Sequence, residues 1–203
     1  MNDSWKRKYA ALIATAISMS SAFLLLFMMI CFGSIPIKTV EVNMLIGLTL
    51  PTLISLYLFP KLLQKVLLQE GSKGYEEENK NRKAFLYLVG FATIYGIVCR
   101  QQFESVFIMC MIIVHYIIVS LGEEFTYRKL ILGLLKIRYK TWVAIIVSAI
   151  MFSFILHING SMMVNLLIRF PIGMVLGYIA VKTDSIAYTI ALHTIYNLIM
   201  LFF

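Results

Sequence analysis

Charge is scarce in this chain of 203 residues: only 14% of it is Asp, Glu, Lys or Arg, against 61% hydrophobic. A soluble domain cannot be built from that balance, so the sequence reads as an integral membrane protein whose whole length is used by one bundle. Cysteine is scarce and odd in number. Cys31, Cys99 and Cys110 lie in or at the ends of apolar runs, which excludes a disulfide framework and points to core packing. No fixed-period repeat, no low-complexity tract and no H-E-x-x-H zinc signature is present. The basic residues that make the net charge +8 sit in the connections between apolar runs, where membrane topology wants them, and that placement argues against nucleic acid as a partner.

The apolar runs predict an all-α, polytopic transmembrane helix bundle of about seven spans. Ala10 to Phe32 follows Trp5-Lys6-Arg7-Lys8 and is too long for a cleaved signal peptide, so it reads as a retained first span. Met44 to Phe59 is a short second span ended by Pro60. Lys61 to Lys83, with six basic residues and the cluster Glu76-Glu77-Glu78, reads as a solvated cytoplasmic loop or amphipathic helix. Phe85 to Val98, Val106 to Leu121, Trp142 to Ile158, roughly Phe170 to Val181, and Ile186 to Phe203 supply the other spans. Lys and Arg number 15 on the side that holds the N-terminus, in its first residues, in 61–83, in 128–140 and at Lys182. The other side has Lys38 and Arg100, with Arg169 at the edge of a span. That bias places the N-terminus in the cytoplasm and the C-terminus outside.

The polar groups inside the spans are few. Glu123 and Glu124 lie at the end of the fourth, and an ionised group in hydrocarbon costs a few kcal/mol or more, so an acid there is a functional candidate by default. Glu124 and Arg128 are four apart with the acid N-terminal, the favourable order for a helical ion pair, which leaves Glu123, about 100° round the helix, for other work. The last spans add His157, His193 and Asn197, the latter two on one helical face. A lone histidine in such a span is usually structural; two beside a free glutamate are less easily dismissed. The midpoint of 123 and 157 is 140, inside the polar stretch Tyr139-Lys140-Thr141. Antiparallel spans four and five therefore bring Glu123 and His157 to equal depth, provided helix four continues through Ile131 and Leu135. His193 lies about 12 Å above the turn at Thr183-Asp184, so the sixth helix must be short or tilted for His193 to reach His157; a start near Pro171 does this. His115, some 80° off the Glu123 face, falls outside the site.

Together these residues resemble the CAAX prenyl protease and bacteriocin-processing (CPBP, or Abi) family of intramembrane proteases. The motif E-E-x-x-x-R appears as Glu123-Glu124 to Arg128 and H-x-x-x-N as His193 to Asn197. F-x-x-x-H appears with His157 in place but with Ser153 where the aromatic belongs, Phe152 and Phe154 flanking it. Gly173, Gly177 and Tyr178 ahead of Thr183-Asp184-Ser185 fit the approach to the last motif. The resemblance covers roughly 105–203, a catalytic helix core, and leaves 1–104 as variable N-terminal helices with a cytoplasmic loop.

It implies an endopeptidase in which Glu123 is the general base for water, His157 holds or polarises that water, and His193 and Asn197 donate to the oxyanion. Glu124 with Arg128 would fix the helix and the local charge beside them. Metal-free chemistry is favoured; if zinc is used, its ligands are Glu123, His157 and His193. The partners implied are membrane lipids and a peptide or lipidated protein: a bacteriocin leader, a signalling peptide or a CAAX-like C-terminus. A catalytically idle scaffold or bacteriocin self-immunity factor is the main rival, and a proton-coupled transporter the next. The composition suits a multi-pass bacterial plasma-membrane protein. Reporter fusions after Phe32 and Phe203 are expected to lie outside and one within 61–83 inside; a cytoplasmic signal after Phe32 would overturn this topology.

Overall fold

The computed structural model describes residues 4–36, 39–67 and 75–202, with side chains from residue 81 onward in the last stretch. Among these residues every regular element is helical. Seven helices result: α1 (Ser4–Gly33), α2 (Val40–Leu67), α3 (Tyr75–Cys99, continued by a single tight turn, Arg100–Gln102), α4 (Val106–Lys136), α5 (Thr141–Leu156), α6 (Met162–Thr183) and α7 (Ala187–Met200). Five stretches, α1, α2, 81–102 in and just beyond α3, α4 and α6, are long and apolar enough to cross a membrane. This is a polytopic helical membrane protein.

The two remaining helices are short. α7 has 14 residues, about 21 Å at 1.5 Å per residue, against a hydrocarbon layer of about 30 Å. α5 is about 24 Å by the same rise. The last carbonyls of a helix need partners outside it, and the end of α5 finds them. His157 leaves helical geometry at φ −101°, ψ 35°. Its orphan carbonyl accepts from Gly160 N–H at 2.9 Å and from Asn165 Nδ2 at 2.9 Å.

Several segment boundaries differ from the sequence reading. The second helix does not stop at Pro60 but runs to Leu67, so the connection expected over 61–83 is helical at both ends; residues 68–74 and the side chains of the acid cluster Glu76-Glu77-Glu78 lie outside the described residues. The sixth helix does not begin at Pro171 but at Met162. The cause is the same in both. Pro51, Pro60 and Pro171 each follow, by two residues, a wide π-helical turn: Leu45–Thr49, Leu53–Leu58 and Asn165–Arg169. A proline lacks an N–H and its ring crowds the carbonyl four back. Passing to i→i+5 bonding just before it moves that carbonyl to another partner, and the helix continues.

Helix α4 does run on past Arg128, through Ile131 and Leu135 to Lys136, and turns at 137–140 into α5. Its extension forms the apolar core with α1, α5 and the end of α2: Ile17, Leu67, Tyr127, Leu130, Leu134, Ile145 and Phe152. Polar contacts pin the same layer. Tyr127 Oη and Ser18 Oγ share a hydrogen bond of 3.0 Å, and Ser148 Oγ donates to Tyr127 O at 2.8 Å. The cysteines are free, as a membrane core would keep them, but Cys31 and Cys110 are exposed rather than packed in the core. The expectation of core packing fails there because, among the described residues, no neighbouring helix covers those two side chains.

Helices α2 and α4 cross closely at Gly122. A Cβ added there would lie 2.9 Å from Leu56 Cβ, and one turn along Thr126 Oγ1 donates to Leu56 O at 2.6 Å. Gly90, by contrast, has nothing within 4 Å of such a Cβ. Gly→Ala inside a helix ordinarily gains roughly 0.5–1 kcal/mol. Gly90→Ala should therefore hold or raise the melting temperature in detergent. Gly122→Ala should lower it, because overpacking costs about 1–3 kcal/mol.

Candidate active site

Four helices bring their polar groups to one cavity of about 290 Å³. Its wall includes Glu123 from α4, His157 from the end of α5, Arg169 from α6, and His193 and Asn197 from α7. Apolar and aromatic neighbours close the rest: Tyr116, Phe152, Ile168, Tyr196 and Met200 among them. The four residues singled out from sequence are thus gathered on one surface. His115 is not among them. It bonds Thr49 Oγ1 through Nδ1 at 2.9 Å, on another face of α4.

The centre of the arrangement is the His193 ring. Nδ1 lies 2.9 Å from Glu124 Oε1 and Nε2 lies 3.5 Å from Glu123 Oε2. Glu124 is wholly buried and also faces Arg128, whose Nε is 3.2 Å from Oε2. That contact is an ion pair by distance, without the alignment of a hydrogen bond, and Nη1 and Nη2 of Arg128 have no hydrogen-bond partner among the described residues. The face of Phe152 covers the guanidinium instead, at 4.7 Å from the ring centroid; a cation over an aromatic face is worth about 2 kcal/mol or more when desolvated. Glu124 is therefore more than the anchor of Arg128. It also fixes the histidine across the bundle, a contact between residues 69 apart in sequence that no local spacing could disclose.

Phe152 resolves the displaced aromatic. In an α-helix the positions i and i+4 share a face, and Ser153 would be the one beneath His157. The turn Met151–Leu156 is π-helical, however, and i→i+5 bonding advances the shared face by one residue. Phe152, five before His157, packs edge-on against it at 5.2 Å between centroids and against His193 at 5.8 Å. Ser153 turns away and donates to Ala149 O at 2.7 Å. A second π turn, Phe125–Ile131, follows Glu124 directly and carries Arg128. Neither of these two turns contains or precedes a proline, unlike the other three.

Asn197, one turn beyond His193, points Nδ2 at Ser120 Oγ, 3.4 Å away. Among the described residues no three of His, Cys, Asp and Glu are grouped closely enough to hold a metal ion. His193 presents its nitrogens to two carboxylates, while His157 stands on the wall by Phe152 with its backbone tied to Asn165.

The charge network predicts an asymmetry between the two acids. Glu124→Gln leaves Arg128 buried without its anion, and removing one member of a buried pair costs about 3–5 kcal/mol. Glu123→Gln loosens the longer, 3.5 Å contact with His193 and leaves the Glu124–Arg128 pair in place. Folded yield and melting temperature in detergent should fall much further for Glu124→Gln, and equal losses would show that the ion pair is not what holds this region.

Comparison with known proteins adds one finding. Residues 104–199 match the family model described as type II CAAX prenyl endopeptidase Rce1-like. No curated protein and no solved structure matches the chain. The matched segment begins just before α4 and ends within the last turn of α7, so it contains every residue of the cavity wall named above except Met200. Residues 104–199 of this membrane protein are a domain of the Rce1-like type II CAAX prenyl endopeptidase family.

Proposed function

We propose that this protein is an intramembrane endopeptidase that hydrolyses a membrane-associated peptide or lipidated precursor with water activated by Glu123. The observation that carries the reading is the gathering of Glu123, His157, His193 and Asn197 on one cavity within the matched domain. Glu123 takes a proton from water as its oxygen attacks the scissile carbonyl carbon. The tetrahedral oxyanion is met by His193 and Asn197, and the proton passes to the leaving nitrogen as the C–N bond breaks. For Nε2 of His193 to donate while Nδ1 donates to Glu124, the ring must carry both protons. The two flanking carboxylates supply the compensating charge. Two acids then balance one guanidinium and one imidazolium, and the cluster is neutral at a depth where net charge is costly. Asn197 is the uncharged donor, and His157 orients the water from the opposite wall.

The bundle sits in the plasma membrane with its N-terminus in the cytoplasm, 105–203 as catalytic core and the earlier helices as its support. No observation favours the idle scaffold, the immunity factor or the transporter, and an intact acid–histidine–amide set speaks for turnover.

The test is cleavage of a labelled prenylated CAAX peptide and of a co-expressed small precursor by protein purified in detergent. Glu123→Ala and His157→Ala should abolish cleavage. Asn197→Ala should retain a residue of it, since one oxyanion donor is worth on the order of 10²–10³ in rate. A strong chelator should leave the wild-type rate unchanged; loss of activity restored by zinc would keep the peptidase and replace its water chemistry. Biological function that survives Glu123→Ala, with no cleavage by either protein, would sink the reading in favour of a scaffold.

A further inference from the structure

Among the described residues, Arg169 is the charged residue of the cavity wall that the proposed reaction does not use. It lines the same cavity as Glu123 and His157, and its position is built rather than incidental. Nη1 donates to Asn165 Oδ1 at 2.6 Å. Asn165, itself buried, donates through Nδ2 to the His157 carbonyl at 2.9 Å. Nη1 also lies against Gly160, where a Cβ would stand 2.6 Å from it, so a larger residue at the turn would push the guanidinium aside. The backbone of His157, the Asn165 amide and the Gly160 turn thus aim one end of the fork. Among the described residues no carboxylate lies within ion-pair distance of it. A guanidinium held beside apolar walls, with an amide on one nitrogen and no anion, is a binding group for a planar carboxylate.

The geometry points to Arg169 as the clamp for a substrate carboxylate, seating the free C-terminal end of the peptide in the cavity beside the scissile bond. This rests on the peptidase reading. At about 290 Å³ the space lies at the small end of ligand pockets, about 300–1,000 Å³. That is room for a short chain end. A carboxylate there could come from the chain terminus or from an acidic side chain near it, and the two are separable chemically.

The experiment measures binding of a fluorescent prenylated CAAX peptide in two forms, free acid and C-terminal amide, with cleavage followed in the same samples. A third peptide carries Glu in its last position and an amidated end. Wild type should bind the acid about 10–100-fold more tightly than the amide, the range for a charge-assisted pair. In Arg169→Gln the ratio should collapse toward one, and Arg169→Lys, which keeps the charge but loses the fork, should retain part of it. Melting temperatures show that the variants are folded; if Arg169→Gln is not, the comparison of acid and amide on wild type and Arg169→Lys stands alone. Equal binding of acid and amide by wild type, no binding of either, or a preference that persists in Arg169→Gln overturns the clamp. Recovery of affinity by the Glu-amide peptide to the level of the acid overturns the chain terminus as its source. A binding preference without cleavage of any form keeps the clamp and removes the peptidase; cleavage without preference does the reverse.

Discussion

Everything in the active region depends on keeping Glu124 charged and satisfied where water does not reach. It is fully buried, and it meets Arg128 on its own helix and His193 on another. An isolated carboxylate could not be held there. The pair with Arg128 is local and would form in an isolated helix. The bond to His193 is not, and it converts a solution for one buried charge into a joint between α4 and α7. Phe152 completes it from α5 by covering the guanidinium with a ring face and standing edge-on to both histidines. Three helices are thus registered by one cluster, and Glu123 is presented to the cavity as a consequence.

The register is achieved by bending hydrogen-bond periodicity as well as by packing. Three of the five π turns prepare for a proline two residues later. The other two, Phe125–Ile131 and Met151–Leu156, have no such excuse and flank the site on both sides. A π turn in a helix is unfavourable unless the surroundings hold it, and such turns are frequent at functional sites. Here one sets where Arg128 sits after the paired acids, and the other moves the aromatic beneath His157 by one residue.

That shift explains which parts were legible in the sequence. The helical class followed from apolar runs, and the equal depth of Glu123 and His157 from counting to the 137–140 turn, because α4 and α5 there are antiparallel neighbours with a short link. The Glu124–Arg128 spacing was readable because it lies within one turn. Phe152 looked misplaced because periodicity arguments assume 3.6 residues per turn, and here the helix abandons that value. The second role of Glu124 was invisible for a different reason: it depends on which helix packs beside α4, and nothing local to residues 123–128 records that. The proline boundaries failed because a break and an accommodated proline have the same sequence.

The same constraint shapes the space for substrate. The basic end of α4 and the end of α6 lie together at one end of the bundle, with the apolar core packed against them. The cavity borders that core at Phe152 and opens where α5 ends and along the last turns of α7. Short helices leave the volume; the charge cluster lines it on one side and the Asn165–Arg169 turn on the other. A peptide entering this space exchanges the lipid or water around its end for walls that are mostly apolar, so any charge it carries must find a fixed partner inside. The cluster around Glu124 is closed to such a role, because its charges already answer one another. Arg169 is the cation on the wall that, among the described residues, makes no ion pair, and its backing by Asn165 and His157 ties whatever it holds to the histidine that faces the reacting bond.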